Sequence, residues 1–170
     1  FDVGIGNSVR NLVTKAMASN KVRSARIYIS SGYTLLGLIS LTMLVVVILL
    51  LNVLFYSMSN DLKEHLSLNV SEFYSLNIFI FTAFVVFWLG LIHAVVASLH
   101  KAALSLAIYF TINFLLLFAF QVVSQVIKID LLLASMIFSI VNIGTLLGFS
   151  LIFFFFKPRF FSFFSQSLQI

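Results

Sequence analysis

The residues that could do chemistry in this sequence are few, polar and uncharged. Ser135, Ser139 and Asn142 are spaced i, i+4, i+7 and share one helical face, with Gly144 and Gly148 on roughly the opposite side. In a helix surrounded by lipid, hydroxyls and amides bond to neighbouring helices at about 0.6–2 kcal/mol per contact, and small residues let backbones approach. Such polar residues in the spans, Asn142 and Thr145 among them, could also hold waters for proton transfer, although helix packing is the plainer role. His93 and His100 lie seven apart and could share a face. They have no cysteine or carboxylate beside them to complete a metal site, so an interfacial histidine is the plainer reading. Gly4-Ile5-Gly6 follows no strand and lacks a third glycine, which argues against phosphate binding. There is no cysteine, which removes disulfides, zinc–thiolate clusters and a thiol nucleophile.

The elements that must position these residues are helices in a membrane. Of 170 residues, 62% are hydrophobic, 9% are charged and 21 are Phe. A soluble domain of this size leaves about a third of its chain's surface in water and cannot hide that much apolar area. Apolar stretches at about 33–56, 77–97, 102–127 and 131–156 contain no Asp, Glu, Lys or Arg. Each has the roughly 20 residues needed to cross a hydrocarbon core of about 30 Å. No period-two alternation suggests a barrel, so helices alone can satisfy the backbone. The fold class is therefore all-α: a multi-pass transmembrane protein with about four transmembrane helices. Other polar residues in the spans include Asn52, Ser105, Thr111, Asn113 and Gln121.

Ahead of the spans, Asn7-Ser8 reads as an N-cap for a helix carrying Val9, Leu12, Val13, Ala16 and Met17 on one face. That pattern predicts an amphipathic helix on the membrane surface, with a frayed basic tail as the alternative. The expected organisation is a basic N-terminal segment 1–32, a four-helix domain 33–156 and an aromatic tail 157–170 lying along the interface.

The net charge of +5 comes from basic residues too few and scattered for nucleic acid. Arg10, Lys15, Lys21, Arg23 and Arg26 cluster near the N-terminus, while the loop 57–76, with Asp61, Lys63, Glu64 and Glu72, is net acidic. Lys101, Lys157 and Arg159 follow the second and fourth spans, and Lys128 and Asp130 cancel at the turn between the third and fourth. The positive-inside rule then puts both termini on the cytoplasmic or matrix side. The Phe excess with a single Pro and a single Trp suggests an A+T-rich organellar genome.

The stretch 100–156 resembles subunit 6 of NADH:ubiquinone oxidoreductase, respiratory complex I. The matching pieces are His100 with Leu104-Ser105-Leu106, then Asp130, then Val141-Asn142-Ile143-Gly144-Thr145, followed by Phe-rich sequence. Asn142 stands where the family has tyrosine and Thr145 where it has a small residue; an extra N-terminal span is present and the family's last two are absent. The resemblance implies a mitochondrial inner-membrane protein with both termini in the matrix. Its partners would be other membrane-arm subunits and lipids, with no small-molecule substrate and no cofactor in this chain. It makes Asn142, Gly144, Thr145 and Asp130 candidates for a proton path or gate, with a π-bulge expected near Gly144, while Ser135, Ser139 and Gly148 remain packing residues. Two alternatives are another small or accessory subunit of a respiratory complex or ATP synthase, and, from a different class, a small transporter or channel. The uncharged spans speak against a channel, because intramembrane ionisable groups mark ion pathways.

Overall fold

The computed structural model describes residues 4–58, 70–99 and 102–155. Within them the chain is helical throughout. It forms α1 (Ile5–Ala18), α2 (Val22–Ser57), α3 (Val70–Leu89), α4 (Leu91–Ser98), α5 (Ala102–Val126) and α6 (Leu131–Phe155). Helix α2, the α3–α4 run, α5 and α6 are each long and apolar enough to cross a membrane, so the protein is an all-α, multi-pass membrane protein. His100, Lys101, Asp61, Lys63, Glu64 and the tail 157–170 lie outside the described residues.

Four local departures from the sequence reading matter. Helix α1 begins earlier than Asn7-Ser8 implies. Gly4 caps it at φ 79°, and the Ser8 hydroxyl donates back to the Gly4 carbonyl at 2.8 Å instead of capping the helix. The helix ends in a Schellman turn, with Lys21 N–H on the Ala16 carbonyl, Asn20 N–H on the Met17 carbonyl and Asn20 at φ 54°. That turn is short enough for α2 to start at Val22, eleven residues before the apolar stretch begins, so Arg23 and Arg26 extend the first span as an exposed basic turn. At 36 residues, α2 is about 54 Å long and overshoots a bilayer core.

The second departure concerns α1's apolar stripe. It does not face lipid along its length: Val9, Val13 and Ala16 pack with Ala25, Ile29 and Leu36 of α2 and Leu91 and Val95 of α4 in one buried cluster. Thr14 of α1 also donates to the Ser98 carbonyl at the end of α4, at 3.3 Å. The apolar periodicity was the correct signal for a buried face, but the covering surface is the chain itself. Gly32 permits the close approach. A Cβ there would stand 2.6 Å from Val9 Cγ2 and 3.2 Å from Leu91 Cδ2.

Third, the second span is interrupted. Gly90 separates α3 from α4, and His93 N–H reaches back only three residues to the Gly90 carbonyl. A Cβ on Gly90 would lie 2.9 Å from the Val86 carbonyl oxygen, a backbone atom that cannot rotate away. Fourth, α6 runs unbroken through Asn142–Thr145, so the π-bulge expected near Gly144 is not there. The irregular turn belongs to the second span instead.

Helices α2 and α3 are stitched by the Trp88 indole donating to the Tyr33 carbonyl at 2.9 Å and by the Ser40 hydroxyl donating to the Phe84 carbonyl at 2.7 Å. Helices α3 and α6 lie side by side, joined by the Thr82 hydroxyl and Ser139 hydroxyl at 2.7 Å. Helix α5 packs on α6 and α4 through Ile108 and Ile112, which meet Ile92, Val96 and Leu146.

Overfilling the α1 contact tests this arrangement. Gly32→Leu should cost about 1–3 kcal/mol through steric displacement and release α1 before anything else. Hydrogen exchange should therefore speed up across Val9–Ala16 while α5 and α6 keep their protection. Unchanged protection in α1 would show that Gly32 is not the contact that holds it.

Candidate functional site: a polar cavity at the helix break

The break at Gly90 opens beside a half-enclosed cavity of about 660 Å³. Its wall draws on all six helices, α2 contributing Leu36. Helix α1 brings Asn7 and Arg10; the end of α3 and α4 bring Phe87, Gly90 and His93; α5 brings Ser105, Tyr109 and Asn113; α6 brings Phe138, Asn142 and Leu146.

His93 is the most elaborately held of these side chains. Its Nδ1 shares a hydrogen bond of 2.9 Å with the Ser105 hydroxyl, and its ring stacks on Tyr109 at 4.0 Å between centroids and 7° between planes. The Ser105 and Tyr109 spacing is one helical turn, so α5 offers both contacts from the same face. Asn113 is the next residue along that face, one turn deeper. Its Nδ2 donates to the Tyr109 carbonyl at 3.0 Å. On α6, Asn142 Nδ2 donates in the same way to the Phe138 carbonyl at 2.8 Å. Neither amide oxygen has a hydrogen-bond partner among the described residues. Both asparagines line the cavity near the middle of their helices.

The residues singled out from the sequence do not come together in one place. Asn142 is buried and lines the cavity. Ser135 is fully buried, donating to the Leu132 carbonyl at 2.7 Å, and Ser139 meets Thr82, so this polar seam faces α3. Gly144 and Gly148 look away from the chain: no neighbouring atom would come within 4 Å of a Cβ at either. Thr145 is half-buried and does not line the cavity. Asp130 is remote from all of them. It is exposed, and its Oδ1 accepts the Leu133 N–H at 2.8 Å, which makes it the N-cap of α6.

Sequence reasoning passed over His93, Tyr109, Asn113 and Arg10 as site residues. The signal available was the shared spacing of Ser105, Tyr109 and Asn113 at successive turns of one helix. Nothing local in the sequence shows that a glycine about two helical turns from the end of a long apolar run will interrupt it beside that face. Among the described residues there is no group of three or more His, Cys, Asp or Glu that could hold a metal. Chemically, the cavity offers amide and phenol oxygens, an imidazole and one guanidinium, a set suited to hydrogen bonding a hydrated ligand.

The Thr82–Ser139 bond lies just beyond the cavity and gives a direct measure of the α3–α6 contact. A double-mutant cycle with Thr82→Val and Ser139→Ala should return a coupling of about 0.6 kcal/mol, and at most about 1.7. Unfolding of the purified protein in mixed micelles measures it. A coupling indistinguishable from zero would remove this bond from the helix interface.

No protein-family model, curated protein or solved structure matches the sequence, so the chemistry of the cavity and of the helix faces around it carries the functional assignment.

Proposed function

We propose that this chain is a membrane-arm subunit of a proton-pumping NADH:ubiquinone oxidoreductase, similar to subunit 6 of complex I. It would sit in the mitochondrial inner membrane with both termini in the matrix, and it would help couple quinone reduction to proton translocation. No redox centre is assigned to it, and its partners are the neighbouring membrane-arm subunits and lipids.

The observation that carries the assembly reading is the two-sided character of α6. Its polar seam, Ser135 and Ser139, is occupied within the chain, whereas the opposite side presents Met136, Ile140, Gly144, Leu147 and Leu151 outward. Glycines on an outward apolar face suit a second helix at close range. The choice of complex rests on the resemblance over 100–156. The uncharged spans are compatible with it, since neighbouring subunits would supply the ionisable groups of a proton path. Asn142 would take part as an amide at the cavity wall, able to orient water but not to store a proton. The polar cavity itself favours a second reading, a small transporter or channel that works alone.

Native electrophoresis of gently solubilised membranes separates the two. The chain should comigrate with NADH dehydrogenase activity; a position only with ATP synthase, or as a small isolated species, overturns the first reading. Within the complex, Gly144→Leu with Gly148→Leu should cost about 1–3 kcal/mol of packing and lower the assembled fraction roughly tenfold or more, leaving the helix content of the free chain intact. Asn142→Leu should do the reverse, with normal assembly and fewer protons moved per NADH oxidised. Normal pumping by an assembled Asn142→Leu complex would refute the role given to that residue.

A further inference from the structure

We propose that the cavity at the Gly90 break is a one-sided aqueous vestibule. It opens on the side of the membrane that carries α1, reaches the middle of the bilayer at Asn113 and Asn142, and admits water and small anions while Arg10 disfavours cations.

Depth is the first ground. Arg10, Asn7 and Ala97 line one end of the cavity, beside the start of α5, and Asn113, Leu116, Phe138 and Asn142 line the other. Ser105 to Leu116 along α5 is a rise of about 16 Å, half of a hydrocarbon core. The second ground is the backbone. A helix interruption at membrane depth is tolerated where it is packed in protein or lines a water-filled space, and Gly90 lines this one. The third is polarity. Two amide oxygens without partners among the described residues, the Tyr109 ring and the His93 imidazole line a volume of about 660 Å³. That volume is well above what one water needs, and the polar groups offer the partners a cluster of waters requires. An acyl chain would leave those oxygens unsatisfied in hydrocarbon.

The other half of the membrane is closed. Phe138, at the floor, packs against Phe79 of α3 at 5.4 Å between centroids. Thr82 and Ser139 bond directly beside it, Ser75 and Ser135 are fully buried, and Phe73 stacks on Phe55 at 4.0 Å. Helices α3 and α6 therefore meet without a gap beyond the floor. Selectivity follows from charge: among the described residues Arg10 is the one charged residue in the lining, and no carboxylate lines the cavity. A fixed guanidinium at an entrance of low dielectric raises the local concentration of anions and lowers that of cations.

The chain contains no cysteine, so single-cysteine variants of the full protein in sealed proteoliposomes report one position each. Asn11→Cys marks the α1 side, Lys128→Cys the opposite side, and Phe118→Cys and Ile140→Cys the outward apolar faces. The probes are membrane-impermeant methanethiosulfonates bearing either a sulfonate or a trimethylammonium group. Asn113→Cys and Asn142→Cys should react from the side that labels Asn11→Cys and not from the side that labels Lys128→Cys. Phe118→Cys and Ile140→Cys should stay unreactive. The sulfonate reagent should react about tenfold faster than the cationic one, and Arg10→Gln should abolish that preference while leaving accessibility. Leu116→Cys and Ala97→Cys line the same space and replace either asparagine variant if it does not fold. Silence at Asn113, Leu116 and Asn142 with Asn11→Cys labelled means a dry or lipid-filled groove and overturns the vestibule. Reaction from both sides means a pore and overturns its one-sidedness; equal rates for the two reagents with Arg10 intact overturn the charge selection.

Discussion

A hydrocarbon interior offers no partner to a hydroxyl or an amide, so each polar side chain in a span must place its donor within the protein. In this chain the solution is repeated with little variation: the donor turns back one helical turn to a carbonyl of its own helix. Thr42 bonds Leu38, Asn52 bonds Ile48, Asn77 bonds Phe73, Thr111 bonds Ala107, Asn113 bonds Tyr109 and Asn142 bonds Phe138. Back-bonding of this kind satisfies donors without recruiting a neighbour. It also leaves the acceptor atoms of the asparagines uncommitted. Where the helices pack tightly such an acceptor is simply buried, as with the Asn77 amide oxygen. Where they part, at the Gly90 break, the same arrangement produces a polar wall.

The break itself depends on how α1 is held. Helix α1 uses its apolar stripe to clamp α2 and α4 together, through Val9 in the space left by Gly32 and through Val13 and Ala16 against Ala25 and Val95. That clamp sets the short α4 against the foot of α2 and brings Arg10, on the flank of the stripe, to the rim of the cavity. The N-terminal segment is thus part of the site's construction as well as a source of basic residues for orientation. A peripheral helix lying on lipid alone would leave both the rim and the α4 face uncovered.

Much of this was legible in the sequence and some was not, for identifiable reasons. Four uncharged apolar stretches and very short connections gave the spans, because length and the absence of charge are sufficient conditions for a membrane helix. The Ser135, Ser139 and Asn142 spacing read as one face, and α6 does carry them together. The Asn7-Ser8 cap failed because Gly4 can adopt a positive φ and start the helix sooner, leaving Ser8 to bond inward. The destination of α1's apolar face was unreadable because lipid and a glycine-notched helix ask for the same periodicity. Gly90 was invisible as a break for a related reason. Glycine is common in membrane helices, and nothing in its neighbours marks this one as the point of interruption. His93 was set aside because its partners, Ser105 and Tyr109, come from a different helix and are neither acids nor metal ligands.

Helix α6 then connects the interior to the exterior. One side of it carries the Ser139 bond to α3 and the Asn142 wall of the cavity; the other carries Gly144 facing away from the chain. Because α6 is an unbroken α-helix through both, it transmits displacement as a rigid body. A neighbour that pressed on the Gly144 side could not bend the helix locally and would instead shift Asn142 and Phe138 together. Those are the residues that set the depth and the floor of the cavity. Facing α6 is the span whose helix is interrupted at Gly90, where the His93 N–H reaches back three residues to the Gly90 carbonyl.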